Sequence, residues 1–391
     1  MKFLIVSLPL TGHVHPISAV AAALTARGHD VAWAGSETFL RPLVGPGVTV
    51  HPMGLRLHRG QSDRGMTAAR SRWAGYVVPH ARYTLDAVDR AVRAHRPDLL
   101  VVDQHAVAGA LVAHRYGLPW AGVAPTSMEL TRPYRALPKV EAWIQDRLAE
   151  LWRHAGLAGT PPHDLRFSPH LLIAFTSAAL AGPVDAPGPV AFVGPALGAR
   201  PDQPDVDWAA LDPARLHVLV TMGTLAMDLA EGFHRRVVDA LRPLDDVQAI
   251  VVAPERTVTA APPHLLTYPR VPVLDLLPHL DAVVGHGGLN TVCETLAHGV
   301  PLVVAPVKDD QPINAARVVA AGAGIRVSFD RSGPDRLRAA VRAVLDDSAY
   351  RVAAQRIGAD LVAAGGASVA AAQLEALACS ALHLTTESER R

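Results

Sequence analysis

The stretch Val283–Ala315 reads VVGHGGLNTVCETLAHGVPLVVAPVKDDQPINA and decides the fold. It contains an apolar run at Ala282–Gly285, the turn His286-Gly287-Gly288, the helical spacing of Leu289–His298 and a second apolar run at Leu302–Ala305. This order predicts a strand, a tight turn, a helix and a second strand. Glycines let a ligand approach the backbone closely, and the first turn of a helix presents free N–H groups that bind anions.

Polar side chains surround this predicted turn. Asn290, Thr291 and Glu294 lie in the first helical turns, and the cluster Asp309-Asp310-Gln311 follows the next strand. The pattern predicts a phosphate at the helix start with hydroxyl groups nearby. By itself it is equally compatible with a dehydrogenase, a kinase or a transferase.

Length and composition narrow the class of protein. At 391 residues, half of them hydrophobic, the chain is expected to form two domains. A net charge of +1 does not indicate nucleic acid as a partner. Two cysteines, Cys293 and Cys379, fit a reducing cytoplasm and are interpreted as apolar filler.

The amino terminus resembles a signal peptide, because Lys2 precedes an apolar run. Pro9, His13 and Pro16 interrupt that run, and an amphipathic helix follows in place of a cleavage site. No stretch approaches eighteen uninterrupted apolar residues. We therefore expect a cytoplasmic protein without stable membrane insertion.

Alternating strands and helices predict an α/β fold with two Rossmann-like domains. The predicted elements of the first half are strands at Phe3–Leu8, Val31–Ala34, Val48–His51, Leu99–Val102 and Trp120–Ala124, with helices at Pro16–Arg27 and Val107–Tyr116. A linker rich in Pro, Asp and Gly spans Pro195–Pro213. The predicted domains are 1–200 and 214–366, and a final helix and tail, 367–391, are expected to pack back toward the first domain.

Two long insertions, Gly54–Val78 and Pro125–Gly159, interrupt this alternation. Insertions at the carboxyl ends of strands often determine ligand specificity. Their aromatic residues Trp73, Tyr76 and Trp143 are therefore candidates for acceptor binding, although a solvated loop and a surface helix explain the two segments equally well.

The loop after the first predicted strand, Thr11–Pro16, carries two histidines, and His13 is the candidate base. Asp103 follows the strand Leu99–Val102 and would lie at the same sheet edge if the two strands are close. A carboxylate bonded to one imidazole nitrogen stabilises the imidazolium that forms when the other nitrogen takes a proton. Alternatively, Asp103 caps the helix that starts near Val107.

Other motifs with known chemistry do not occur in the sequence. The loop after the first strand is not GxGxxG, no Lys follows a Gly, and GxSxG and HExxH do not occur. Asp309 and Asp310 are adjacent carboxylates without a third ligand in pattern, so hydroxyl binding or helix capping is favoured and no metal site is predicted.

The order H-G-G-L-N-T-V-C-E from His286, followed by G-V-P at Gly299–Pro301 and D-Q at Asp310-Gln311, resembles the donor-binding signature of family 1 glycosyltransferases. Gly12–Pro16 is similar to the amino-terminal G-H-x-x-P of that family, and Val193–Pro195 to its V-G-P. The bacterial branch that glycosylates macrolides and other antibiotics is closest in layout. The resemblance implies the GT-B fold, in which two Rossmann-like domains face each other across a cleft.

The resemblance also implies roles for particular residues. His286, Gly287 and Gly288 would hold the donor diphosphate, with further donors from Asn290, Thr291 and Thr224. Glu294 would bind the ribose, and Asp310 with Gln311 would bind the transferred sugar. His13 would be the base and Asp103 its partner.

One position departs from the family pattern. An aromatic residue usually stacks on the nucleobase, and here Arg270-Val271 stands in its place. A guanidinium can also stack on a base, so Arg270 is a candidate for this role. The nucleobase of the donor can be either uracil or thymine.

The function that the resemblance implies is inverting, metal-independent transfer of a sugar from a UDP- or TDP-sugar to a hydroxyl of a small natural-product aglycone. The nucleotide sugar is a co-substrate, no other cofactor is expected, and the enzyme would be a monomer or homodimer. The alternatives are a nucleotide-sugar epimerase of the same fold and a non-catalytic partner protein.

Overall fold

A computed structural model describes residues 1–54, 63–198, 200, 204, 207–223, 230–254 and 261–389, with the backbone alone from residue 383. The chain forms two compact units. Unit 1 comprises Met1–Asp202 together with Ala364–Arg391, and unit 2 comprises Gln203–Ala363. Each unit is built on its own parallel sheet.

The sheet of unit 1 is parallel throughout and has the order β3-β2-β1-β4-β5-β6-β7 in the described part of the chain. Its strands are β1 (Lys2–Val6), β2 (Asp30–Gly35), β3 (Thr49–Pro52), β4 (Leu99–Asp103), β5 (Trp120–Ala124), β6 (Leu172–Ala174) and β7 (Val190–Phe192). Val6 pairs with Val102, so β1 and β4 end side by side. The strand order changes direction between them, which is where open α/β sheets bind ligands.

The sheet of unit 2 is also parallel, with the order β10-β9-β8-β11-β12-β13 among its described residues. Its strands are β8 (Leu216–Thr221), β9 (Val247–Val252), β10 (Leu265–Tyr268), β11 (Ala282–Gly285), β12 (Leu302–Val304) and β13 (Gly324–Arg326). Gly285 pairs with Thr221, so the loops after β8 and β11 meet at the point where this sheet changes direction.

Helices cover the faces of both sheets. Those of unit 1 are α1 (Thr11–Ala26), α2 (Glu37–Val44), α3 (Gly65–Arg70), α4 (Val78–His95), α5 (Val107–Tyr116), α6 (Ser127–Leu130), α7 (Pro138–His154) and α8 (Ala178–Ala181). Those that follow are α9 (Glu231–Leu241), α10 (Val273–Leu276), α11 (Leu289–Ala297), α12 (Gln311–Ala320), α13 (Pro334–Asp346), α14 (Ser348–Ala363) and α15 (Gly366–Glu389).

Helix α15 returns to unit 1, where its apolar side joins the core. Ala370, Leu374 and Ala378 are fully buried in the cluster that also contains Val20 and Leu24 of α1. At the rim of this contact, Glu375 accepts hydrogen bonds from Arg27 at 2.7 Å and from His29 at 2.5 Å.

The stretch Ser348–Leu382 is apolar and long enough to cross a membrane by length and composition. The structure divides it at Ala364 and Gly365 into α14 and α15, which belong to different units. Both pieces carry fully buried residues, among them Leu361 and Leu374. Of the apolar window in this stretch, 28% is buried.

Two segments differ from the sequence-based prediction. Helix α1 begins at Thr11, not at Pro16, so His13 lies in its first turn and not in a loop. The apolar stripe of Ile17 and Leu24 extends back to the fully buried Val14, and this packing outweighs the hydrogen bond that Pro16 cannot donate.

The first insertion, for which a solvated loop was one interpretation, is helical from Gly65 onward. A π-helical segment, Ser71–Val77, joins α3 to α4 without a break. It turns Trp73 and Tyr76 inward, at 0% and 3% exposure. The second insertion contains α6, a short 3₁₀ turn at Pro133–Ala136 and α7.

The core of unit 2 contains a histidine whose burial disfavours protonation of its ring. His234 of α9 is fully buried, and neither ring nitrogen has a hydrogen-bond partner. Burial lowers the pKa of His234 to about 4 from the usual 6.5. Below pH 6.5 the unfolded chain therefore binds a proton at this residue that the folded chain does not bind.

We predict that the stability gained from neutral His234 is complete above pH 6.5 and is lost as the pH falls from 6.5 toward 4. The loss would reach about 3 kcal/mol, the value for a shift of this size. Urea unfolding of wild type and His234→Phe at pH 5 and pH 7.5 measures it. The variant should lose less stability between the two pH values, and equal losses would contradict the prediction.

Candidate functional site

One candidate site lies where β1 and β4 end in unit 1. His13 stands in the first turn of α1, and its Nδ1 lies 2.7 Å from Oδ2 of Asp103, the last residue of β4. Asp103 is fully buried and His13 is 7% exposed. Ser7 also donates its hydroxyl to Oδ2, at 3.3 Å.

The electrostatics of this pair favour a charged carboxylate. Burial raises the pKa of Asp103, but the adjacent His13, aided by His105, outweighs burial and holds the pKa below its usual range. Asp103 is therefore ionised at neutral pH and accepts a hydrogen bond from Nδ1–H of His13. In that tautomer Nε2 carries the lone pair, which is the arrangement of a general base supported by a carboxylate.

The capping alternative for Asp103 is not what the structure contains. Helix α5 begins after Ala106, and no side chain caps its first turn. Oδ1 of Asp103 accepts instead from the main-chain N–H of His105, at 2.9 Å. Asp103 thus fixes the turn between β4 and α5 with one oxygen and His13 with the other.

His13, Asp103 and His105 also form a group whose potential metal-ligating atoms lie within 4.8 Å of one another. The contacts within this group account for it without an ion. Nδ1 of His13 faces Asp103, and Nε2 of His105 lies 3.3 Å from Oε1 of Glu129. Hydrogen bonds to carboxylates therefore occupy one nitrogen of each imidazole.

A second candidate site lies where β8 and β11 end in unit 2, and its geometry requires glycine. A Cβ atom on Gly223 or on Gly288 would stand 2.7 Å from the ring of His286. Gly287 has a φ of +86°, and a Cβ there would meet Val304 at 2.7 Å. Two of the glycines thus make room for the His286 ring, and Gly287 makes the turn.

His286 contributes a hydrogen-bonding group and no charge. Burial lowers the pKa of His286 to about 4, so the ring is neutral at pH 7. The adjacent helix α11 has Gly288 as its N-cap, and no side chain caps its first turn. Attraction for an anion at this turn therefore comes from the backbone N–H groups of α11.

Other residues predicted to bind the nucleotide sugar occupy this turn and the start of α12. Asn290 and Thr291 are partly buried in the first turn of α11, and Glu294 is 6% exposed one turn further on. Asp310 is the N-cap of α12 and Gln311 its first residue. Oε1 of Gln311 accepts from the N–H groups of Val307 and Lys308, which directs the amide nitrogen away from that loop.

Asn314 joins these two groups and was missed by the sequence analysis. Its amide nitrogen donates to the carbonyl of Gly287 at 2.8 Å and to Oδ2 of Asp310 at 3.1 Å. An amide one helical turn after Asp310 is the sequence signal that would have found it. The Gly287 turn and the Asp310 loop are therefore held at a fixed distance.

Two of the remaining donor-site predictions, Arg270 and Val271, lie on the loop after β10. Arg270 and Val271 line a small cavity that Leu266, Tyr268 and Leu276 also border. Thr224 lies outside the described residues. The structure thus brings His286 to Gly288 together with Asp310 and Gln311, and it leaves Arg270 and Val271 after β10.

The predicted acceptor residues differ in accessibility. Trp73 is fully buried, with its ring 6.0 Å from that of His105 and under the Arg166 guanidinium. Tyr76 is buried beside it on the same π-helical segment. Neither ring offers surface to an acceptor in this conformation. Trp143 is partly exposed on α7, and its role stays a prediction.

A buried ionic cluster behind the dyad was also missed. Arg166, fully buried, donates to Glu129 at 2.7 Å. Burial raises the pKa of Glu129, but Arg166 outweighs it and holds this pKa at about 2. Glu129 follows β5, the strand next to β4, and a search of the residues after each strand would have found it.

Comparison with known proteins agrees with this architecture. A family model described as "Erythromycin biosynthesis protein CIII-like, C-terminal domain" matches residues 235–377. The chain is 31% identical to 4'-demethylrebeccamycin synthase of Lentzea aerocolonigenes, over 91% of this chain and 94% of that protein.

Solved structures agree as well. The glycotransferase of kitacinnamycin matches at a TM-score of 0.80 and 28% identity, covering 96% of this chain and 98% of that one. Spinosyn rhamnosyltransferase SpnG complexed with thymidine diphosphate matches at 0.76 and 26%, covering 96% and 100%.

Two parallel-sheet α/β units of this kind define the GT-B class of glycosyltransferases, and the predicted fold class is confirmed. The chain belongs to the antibiotic glycosyltransferases related to the erythromycin CIII protein, and it is an enzyme that transfers sugars.

The packing of His286 predicts the effect of adding a methyl group at Gly288. Gly288 has an extended backbone with φ of −62°, so Gly288→Ala adds no backbone strain and acts only on the His286 ring. We expect little change in melting temperature, but at least about tenfold weaker binding of TDP or UDP, since losing a hydrogen bond to a charged group costs about 1.5–3 kcal/mol.

Gly28→Ala is the matched control, because Gly28 has a φ of +84° and open space around it. That variant should lose stability to backbone strain and keep nucleotide affinity. Thermal shift and calorimetric titration measure both quantities. Unchanged affinity in Gly288→Ala would contradict the prediction.

Proposed function

We propose that this glycosyltransferase is inverting and metal-independent, and that it moves a sugar from a UDP- or TDP-sugar to a hydroxyl of a small natural-product aglycone of the antibiotic or polyketide type. The observation that carries the proposal is the buried contact between Nδ1 of His13 and Asp103. It leaves Nε2 of His13 as the proton acceptor, and activation of a hydroxyl is the chemistry that such a nitrogen performs.

In this mechanism Nε2 of His13 takes the proton of the acceptor hydroxyl while its oxygen attacks the anomeric carbon. The bond to the diphosphate breaks on the opposite face, so the configuration of the sugar inverts. Asp103, ionised and in contact with Nδ1, stabilises the imidazolium that results. The proton is later released to solvent.

The leaving diphosphate gains negative charge as the bond breaks. The N–H groups at the start of α11 are fixed dipoles that would stabilise this charge, and neutral His286 would add a hydrogen bond. These donors perform the task that a divalent cation performs in other transferases. The proposal therefore assigns no metal to the reaction.

Other residues of unit 2 would contact the rest of the donor. Glu294 would bind the ribose, and Asp310 with the amide nitrogen of Gln311 would bind hydroxyls of the transferred sugar. Arg270 and Val271 would face the base. The thymidine diphosphate in the spinosyn rhamnosyltransferase favours a TDP-sugar as the first donor to test.

Removal of the base tests the proposal. With UDP-glucose and a TDP-deoxysugar as donors and a panel of polyketide and phenolic acceptors, mass spectrometry first identifies a transfer product. His13→Ala and Asp103→Asn should then lower kcat by about two to four orders of magnitude, the usual contribution of a positioned base, with little change in nucleotide affinity.

His15→Ala is the matched control, since His15 lies on the same helix and is only partly buried. It should keep most of the activity. Full turnover in His13→Ala would remove that residue from its role. Donor isomerisation without an acceptor would identify an epimerase instead, and failure of both nucleotides to raise the melting temperature would indicate a non-catalytic protein.

A further inference from the structure

The turn between β4 and α5 holds the carboxylate of Asp103 through the main chain of His105. The main-chain N–H of His105 donates to Oδ1 of Asp103 at 2.9 Å, while Oδ2 faces His13. No side chain caps α5 at this turn. The Ser7 hydroxyl also bonds Oδ2, but the contact at Oδ1 depends on what holds Gln104 and His105.

Both side chains of this turn are attached to the same arginine. Nε2 of Gln104 donates to the carbonyl of Arg166 at 3.1 Å. Nε2 of His105 lies 3.3 Å from Oε1 of Glu129, and the other oxygen of Glu129 accepts from Arg166 at 2.7 Å. The turn thus has two attachments, one direct and one through Glu129.

Arg166 itself is fixed from its other side. Its Nε donates to Oδ1 of Asp164 at 3.0 Å, and its second terminal nitrogen bonds Oδ2 of Asp164 and Glu141. The guanidinium is fully buried. Breaking one partner of such a buried cluster leaves an uncompensated charge, which makes the arrangement stiff.

We propose that His105 is a positioning residue for the catalytic dyad, with Glu129 as the group that holds it in place. The ring of His105 transmits the rigidity of the Arg166 cluster to the turn, and the turn keeps Asp103 directed at Nδ1 of His13. The ring lies 5.8 Å from that of His13 and is buried at 2% exposure. His105 acts on the base and not on the substrate.

This inference rests on the proposed function for its kinetic part only. Its geometric part is tested by proton NMR of the ligand-free enzyme, in which Nδ1–H of His13 against Asp103 gives a low-field resonance, assigned by its absence in His13→Ala. The readout needs neither donor nor acceptor. A protein that transferred no sugar would refute the proposed function and still give a result here.

His105→Leu removes the ring's attachment, whereas His105→Gln keeps a donor near the position of Nε2. We expect His105→Leu to broaden or lose the resonance and to lower kcat by about tenfold to a hundredfold, the cost of a misplaced catalytic group. The KM for the nucleotide sugar should not change. The acidic limb of kcat/KM should move to lower pH, because a misaligned Asp103 stabilises the imidazolium less.

Two further variants keep the test decisive. His105→Gln should restore the resonance and most of kcat, and Glu129→Gln should lose part of both. His95→Leu removes another buried imidazole of unit 1, on α4, and should change only the melting temperature. The proposal is overturned if His105→Leu has the same resonance, kcat and pH profile as His95→Leu, because the ring then has a packing role only. If His105→Leu does not fold, Glu129→Gln takes its place in this comparison.

Discussion

The parallel pairing of β1 with β4, and of β8 with β11, is the constraint on which both candidate sites depend. Each pairing places the ends of two strands that are distant in sequence side by side, at the point where the strand order changes direction. In unit 1 the neighbours are His13 and Asp103. In unit 2 they are Gly223 and the His286 turn. Every side chain that we assign to chemistry or to the diphosphate stands at one of these two edges.

The two edges treat charge differently. Unit 1 buries ionised groups and satisfies them with one another, since Glu129 has a pKa of about 2 beside Arg166. Unit 2 keeps His286 neutral, and in the proposed mechanism backbone N–H groups would bind the diphosphate. A base needs a permanent negative partner to stabilise a transient positive charge. A diphosphate that must leave is better held by fixed dipoles than by a permanent positive charge that would also hold the product.

Much of this could be predicted from the sequence, because strand and helix periods and the glycine turn are local signals. Trp120–Ala124 and Val107–Tyr116 have the predicted bounds. The start of α1 was wrong because a proline was interpreted as a first helical residue, while the buried Val14 decided the matter through tertiary packing.

What could not be predicted is the partnership of residues distant in sequence. Arg166 with Glu129, and Asn314 with Gly287, are contacts between elements whose neighbours are fixed only by the sheet order. Trp73 looked accessible because its segment was interpreted as an insertion, and the π-helical segment turns it inward.

Because α15 belongs to unit 1, the two units are completed at different times during synthesis. Unit 2 is one continuous stretch, so all of its residues are synthesised before the last part of unit 1 is made. Until α15 appears, the side of α1 that carries Val20 and Leu24 lacks the cover that Ala370 and Leu374 supply. The unit that begins first is thus completed last, and this side of α1 waits for its cover until unit 2 has been translated.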